Sequence, residues 1–565
     1  MVFHINYVNT FKNYYPLTPK VNSEVTFLQE SKSSSYLKGA AILAVATVIA
    51  RIISAIYRIP LYIILDSAGR GAYLTAYNVF ALVLAVATAG VPAALSRLVS
   101  SSRAGENHKL ARRCFTVALP VFSFIGIIAM LVMFFFADEL AGLLNNSLAA
   151  PGIRVLAPAA FFVCIISVYR GYAQGHENMM PTAISQIVEV ISKMIIGITF
   201  VLWFTYLGYA SDIVSAGALV GATTGLGICL PILIWYNRKI NRPFISKANI
   251  GSSPGTKTVL MRIMKVSVPI SISASFMSIM VLIDNSIVLG RLQSVLGYTE
   301  YEASQLWGIY ALGLSVYNLP PALLVPISVS AIPAIAAAIA KKKHSEAGVI
   351  VQSSIKLVCL IAMPAAMGII TLARPILISL FNYDYALATS LLMILGIASF
   401  FVCLQFITTA ILQANGYERI SLITFPIGAI AKIAISYFLS GDLRFGILAS
   451  PLGTLACFMI ITTLNIIFIK LRLPEKPKFS LAFIKPLLCA AIMACTAFFT
   501  FRLLYTLGSG IIDSYRLAVT ISLAVSIIIA IIVYGILVII TRTITKKDMA
   551  LVPKGEMLCR IFRVR

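Results

Sequence analysis

FFVCIISVYRGYAQG at residues 161–175 and FFVCLQFITTAILQA at residues 400–414 read as two copies of one apolar segment. The likeness runs on without gaps through EVISKMIIG (189–197) and GAIAKIAIS (428–436). It pairs Phe161 with Phe400, Phe162 with Phe401, Val163 with Val402, Cys164 with Cys403, Gln174 with Gln413 and Lys193 with Lys432. Apolar identities between hydrophobic segments carry little weight. A glutamine and a lysine repeated in register inside such segments carry more, because each is costly there. GVPAALSRLV (90–99) resembles AIPAIAAAIA (331–340) at nearly the same offset. The chain is therefore expected to be a duplicated unit.

Outward from these copies the sequence is a series of apolar runs. Of 565 residues 59% are hydrophobic and 12% charged, a balance that leaves a soluble surface without enough solvating groups. Each run is long enough to cross a hydrocarbon core of ~30 Å. Fourteen can be drawn. The first six are 38–64, 72–97, 112–136, 152–174, 182–204 and 214–236. The next six are 264–291, 305–339, 348–372, 386–413, 419–439 and 445–470, and two more lie at 483–506 and 515–541. The long run 305–339 holds Pro320, Pro321, Pro326 and Pro333 and is expected to be kinked or broken. The fold class is all-α polytopic membrane protein: two six-helix lobes in the same orientation, related by a pseudo-two-fold axis along the membrane normal, plus two extra C-terminal helices. The expected parts are a tail (1–36), an N-lobe (37–240), a basic linker (241–263), a C-lobe (264–472), two further spans (473–541) and a basic tail (542–565).

The net charge of +25 sits in short connections, not in a patch for nucleic acid, which is not expected as a partner. One set of connections carries Arg103, Lys109, Arg112 and Arg113; Arg238, Lys239, Arg242, Lys247, Lys257 and Arg262; Lys341, Lys342 and Lys343; and Lys470, Arg472, Lys476 and Lys478. The tail adds Arg542, Lys546 and Lys547. The alternate connections have little beyond Arg70, Arg154, Arg374, Arg444 and Arg516. With fourteen spans all basic connections share one side, so a bacterial cytoplasmic membrane with both termini cytoplasmic is expected. The nine cysteines lack CxxC spacing and read as small packing residues, and no metal or cofactor is expected. The first 36 residues have no signal-peptide pattern and read as a cytoplasmic tail.

Ionisable side chains deep in a membrane are expensive and mark cavities or partners. Arg51 lies about 18–20 Å along its span, Lys193 about 17 Å and Lys432 about 20 Å, all counted from the cytoplasmic side. Arg58 follows Arg51 by seven residues, on nearly the same helical face. Asp284 in VLIDNSIVLGR stands at similar height beside Asn285, with Arg291 above, and an Arg58–Asp284 contact between lobes is expected. A cavity with excess positive charge suits an anionic head group such as a pyrophosphate. Arg51, Arg58, Lys193, Asp284, Asn285, Arg291 and Lys432 are thus the candidate substrate-binding residues, and Glu189 the candidate ion-coupling residue. Other readings stay open. Glu189 and Lys193, spaced i, i+4, can neutralise each other. Arg51 and Arg58 can cap carbonyls near Pro60, and Gln174 and Gln413 can serve as helix-end hydrogen bonders.

These features resemble the multidrug/oligosaccharidyl-lipid/polysaccharide exporter superfamily. YRIPL (57–61), TAGVPAALSRLVS (88–100), YRGYAQGHENMMPTAISQIVE (169–189) and GIYALGLSVYNLPPALLVPISVSAIPAIA (308–336) look like its stage V sporulation protein B branch, related to lipid II flippases. The resemblance covers about residues 37–541. It implies a V-shaped pair of lobes, a lipid-linked anionic oligosaccharide as substrate and essential cations in the central cavity. Arg58 and Arg51 match the paired arginines of the first helix, though their spacing here is seven rather than six, which turns one side chain by about 100°. The carboxylate expected early in the second helix is absent from GRGAYLTAY. The expected function is a flippase for a polyprenyl-pyrophosphate-linked cell-wall precursor, lipid II-like, in peptidoglycan or spore cortex synthesis. Alternatives are a flippase for another polysaccharide unit and a cation-coupled multidrug exporter. A membrane glycosyltransferase is a different class, and it would need an acid or metal site on a sizeable outer loop, where these loops are short with scattered acids. No enzyme activity is expected. The expected partners are membrane lipids and the substrate, with a cell-wall synthase as a candidate for the basic loops and the protein itself a monomer.

Overall fold

The computed structural model describes residues 24–105, 107–241, 254–324, 335, 339, 344–473, 479–510 and 513–543. Expectations placed on 1–23, Arg242, Lys247, Pro326, Pro333, Lys341, Lys342, Lys343, Lys476, Lys478, Lys546, Lys547, Cys559 and most of 331–340 lie outside the described residues. The regular structure of the described residues is helical throughout. The N-lobe holds α1 (Glu24–Ile64), α2 (Ser67–Ala104), α3 (His108–Phe135), the short α4 (Ala137–Leu143), α5 (Ala150–Gly175), α6 (Met180–Tyr206) and α7 (Ser211–Asn241). The C-lobe holds α8 (Thr256–Ser294), α9 (Glu300–Tyr317), α10 (His344–Thr371), the short α11 (Ala373–Phe381), α12 (Ala386–Ala414), α13 (Ser421–Ser440) and α14 (Ala449–Arg472). Two further helices, α15 (Phe479–Gly508) and α16 (Tyr515–Ile540), follow.

Thirteen described helices are long and apolar enough to cross a membrane. The remaining expected span is split. α9 ends at Tyr317, Asn318 forms a turn and donates its Nδ2 to the Leu314 carbonyl at 2.7 Å, and helix resumes at 319. Pro320 and Pro321 thereby open a new helical turn, where a missing N–H breaks no bond. Elsewhere polar caps mark the starts. Asp66 accepts from the Gly69 amide ahead of α2, Asn107 from Leu110 ahead of α3, and Thr299 with Glu302 forms a capping box on α9.

The duplication is visible in the packing. α6 lies along α7 as α13 lies along α14, and α5 packs on α7 as α12 packs on α14. α15 and α16 pair with each other, α15 against α10 and α16 against α11. Isoleucines such as Ile49, Ile52 and Ile56 of α1 and Ile528, Ile531 and Ile532 of α16 point outward, as lipid contact requires. Seven of the eight described cysteines are buried thiols; Cys495 is exposed.

The lobes meet chiefly where α2 crosses α8 and α9. Gly308 lies so close to α2 that an added Cβ would overlap the Ser67 carbonyl oxygen, and one on Gly90 would overlap that of Ser267. The first crossing lies at the end of the bundle where α1 passes to α2, the second toward the end where α2 passes to α3. Between them the lobes part around a cavity.

Candidate functional site: a cationic cavity between the lobes

The cavity has a volume of about 800 Å³ and is bordered by helices of both lobes. Its charged lining consists of Arg51, Arg58, Arg170, Glu189, Asp284 and Lys432. Four of these form two ion pairs. In the N-lobe Arg170 of α5 donates Nη2 to Glu189 Oε2 of α6 at 2.9 Å and Nε to Ser185 Oγ at 2.9 Å. In the C-lobe Lys432 Nζ of α13 lies 3.2 Å from Asp284 Oδ2 of α8. The same carboxylate accepts from Ser436 Oγ on Oδ1 and from Ser450 Oγ on Oδ2, each at 2.6 Å. Neutralisation of these pairs leaves Arg51 and Arg58 of α1 as the uncompensated charges of the lining. Among the described residues neither has a carboxylate partner. Their spacing of seven puts both on the cavity face, roughly 10 Å apart along the helix.

Several expectations about partners are corrected. Asp284 does not meet Arg58; its carboxylate is engaged instead by Lys432, Ser436 and Ser450 of its own lobe. Glu189 does not pair with Lys193, because Arg170 reaches it from the neighbouring helix with a directed guanidinium bond. Lys193 is not among the lining residues. Its ammonium rests 4.5 Å from the ring centroid of Tyr77, which does line the cavity, and 5.8 Å from that of Tyr57. Arg291 lies off the cavity, stacked 4.5 Å from the Tyr437 ring centroid and against Gly441. Asn285 is fully buried away from the cavity, donating Nδ2 to Thr75 Oγ1 across the lobe interface at 3.2 Å. Gln174 bonds Thr182 Oγ1 at the end of its helix.

The two lobes carry their charge differently at matched positions. Gly197 and Ser436 correspond in the repeat. An added Cβ on Gly197 would lie 2.6 Å from the Tyr57 hydroxyl, whereas Ser436 bonds Asp284. Tyr57 thus occupies in the N-lobe the place of Asp284 in the C-lobe, and the repeated lysine meets an aromatic ring in one lobe and a carboxylate in the other. Arg170 and Glu189 correspond to Thr409 and Gly428, so their ion pair has no counterpart. Sequence reasoning passed over Arg170, although the signal was present: a basic residue in one copy of the repeat opposite a threonine in the other.

This geometry defines a class: a two-lobed helical membrane transporter with a polar, net-cationic central cavity. The family model described as polysaccharide biosynthesis protein matches residues 36–339, and the MatE model matches residues 269–438. Three proteins of Bacillus subtilis (strain 168) are similar to the chain. The uncharacterized membrane protein YabM is 26% identical over 94% of this chain and 97% of its own. Stage V sporulation protein B is 23% identical over 93% and 99%, and lipid II flippase MurJ 25% identical over 76% and 82%. Among solved structures, lipid II flippase MurJ in an inward closed conformation superposes with a TM-score of 0.65 at 14% identity, over 88% of this chain and 99% of that one. An inward-facing multidrug transporter of the MATE family gives 0.58 at 17% identity, over 76% and 98%. The chain belongs to the polysaccharide biosynthesis protein family, within the multidrug/oligosaccharidyl-lipid/polysaccharide exporter superfamily.

Proposed function

We propose that the chain is a flippase that carries a polyprenyl-pyrophosphate-linked cell-wall precursor, lipid II-like, across the bacterial cytoplasmic membrane by alternating access and without covalent chemistry. The observation that carries the reading is the pair of uncompensated arginines on one face of α1, bordering a cavity large enough for a pyrophosphate with its first sugars. A guanidinium offers a planar fork of donors to phosphate oxygens, and in a site screened from water that interaction is strengthened. Lys432, already at the wall, is the C-lobe contact for the same anion, and Lys193 adds long-range attraction from behind Tyr77. Glu189 is assigned to holding α5 and α6 together through Arg170. Both termini and the basic connections are assigned to the cytoplasm, which puts the α1–α2 end of the bundle outside. The names of the relatives support the substrate class; peptidoglycan synthesis in growth or in the spore cortex fits it.

The test is reconstitution in liposomes with fluorescent lipid II, scored as loss from one leaflet. Wild type transports it. Arg58→Ala lowers the rate about tenfold or more, the worth of one charge-assisted contact, and Arg58→Lys recovers only part, since an ammonium lacks the fork. Absence of lipid II transport by the wild type overturns the substrate assignment.

A further inference from the structure

Asp284 and Asn285 are neighbours on α8 with opposite commitments. Asp284 is 4% exposed and bound to α13 and α14 of its own lobe through Lys432, Ser436 and Ser450. Asn285, turned about 100° around the helix, is bound to the other lobe. It shares Thr75 Oγ1 with Asn146, whose Nδ2 donates to that hydroxyl at 3.1 Å and also reaches Ser304 Oγ at 3.3 Å. Thr75 and Asn146 belong to the N-lobe, Asn285 and Ser304 to the C-lobe, and all four are fully buried. They form a clasp on the α1–α2 side of the cavity. The Oδ1 atoms of Asn146 and Asn285 have no partner among the described residues, so the clasp closes with acceptors left unsatisfied.

We propose that this Asp284–Asn285 step transmits occupancy of the cavity to the clasp, and so opens the α1–α2 end when an anion arrives. In the structure Asp284 holds Lys432 as an internal counter-ion. An anion entering the cavity competes for that ammonium. Once Lys432 turns to the ligand, Asp284 is a buried carboxylate with hydroxyl partners only, and such a charge without its cation is strongly disfavoured. The strain is relieved by a shift of α8 that brings the carboxylate to water. Because Asn285 is the next residue on the same rigid helix, that shift draws it off Thr75. The clasp, made of neutral hydrogen bonds with two idle acceptors, is the element that yields. The ligand part of this scheme rests on the anionic-substrate reading; the link between Asp284 and the clasp does not.

The experiment is a spin-label distance across the α1–α2 end, between Tyr209→Cys of the N-lobe and Tyr298→Cys of the C-lobe, both exposed tyrosines. It uses the full chain in lipid nanodiscs, with the exposed Cys495 replaced by serine and Cys559 of the C-terminal tail replaced likewise. The probe is undecaprenyl pyrophosphate, with undecaprenol as the uncharged control. Wild type without ligand holds a short distance, and the pyrophosphate lipid adds a longer one. Lys432→Gln, which leaves Asp284 without its cation permanently, shows the longer distance without ligand, enriched about tenfold over wild type. Thr75→Val does the same by removing the shared hydroxyl. Asp284→Asn stays short and no longer responds to the pyrophosphate lipid, although it still binds it. Either a short distance in Lys432→Gln or a wild-type response in Asp284→Asn overturns the proposal, and if Lys432→Gln does not fold, Asp284→Asn alone decides. Should the lipid leave the wild type unmoved while the ligand-free variants behave as stated, the coupling stands and the anionic-substrate reading falls.

Discussion

Arg170 and Glu189 show what a single side chain decides in this molecule. Their side chains are 11% and 26% exposed, so the pair is largely withdrawn from solvent, Glu189 less completely than Arg170. Removing one partner leaves the other charge stranded. Glu189→Gln is therefore expected to cost about 2–3 kcal/mol, below the 3–5 kcal/mol of a fully buried pair. The measurement is thermal unfolding in detergent. Arg170→Met with Glu189→Leu, which removes both charges and keeps the volume, should lose less than Glu189→Gln alone. If the double variant falls further, the pair does more than satisfy itself. At this scale the sequence marked which residues are charged and how deep they lie, but not their partners. Glu189 has Lys193 one turn away on its own helix and takes Arg170, 19 residues back, because α5 presents that guanidinium directly at its carboxylate.

Helices meet the lobe interface with small residues where they cross. At Gly308 the neighbour is the Ser67 backbone carbonyl of α2, which cannot swing aside as a side chain would. Gly308→Ala is expected to drive α2 and α9 apart. A maleimide should then label Ala303→Cys, a fully buried position beside the crossing, about tenfold faster in the purified protein, since close-packed contacts do not absorb an added methyl without displacement. Gly313→Ala is the control. Its added Cβ would press on the end of the Leu395 side chain, which can move, and would meet the Leu392 backbone only at an ordinary 3.8 Å, so labelling should stay near the wild-type rate. Unchanged labelling in Gly308→Ala would mean that the α2–α9 crossing does not hold this end shut. The proline-rich run after α9 was legible as a break, because ring sterics act locally. Which glycines touch a backbone was not legible, because close approach belongs to the pair of helices.

For the whole molecule, the distribution of lysine and arginine predicts the sidedness. In intact cells a membrane-impermeant maleimide should label Tyr209→Cys, between α6 and α7, and not Lys239→Cys, at the basic end of α7. The reverse result would invert the molecule and the direction of any opening. The hydropathy of each run, the repeat of Lys193 as Lys432 and the depth of Arg51 and Arg58 were all determined by the sequence itself. They depend only on local composition and the regular rise of a helix. The two six-helix lobes followed from the same information, since a duplicated chain with an even number of spans must repeat its orientation. Only the tertiary structure decided that Asp284 belongs to Lys432 and not to Arg58, that Arg291 leaves the cavity for Tyr437, and that Asn285 joins Thr75 across the lobes. Those choices depend on which way each helix is rotated and which helix lies beside it. Ser436 and Asp284 are 152 residues apart, and no local periodicity carries the angle at which two such segments face each other.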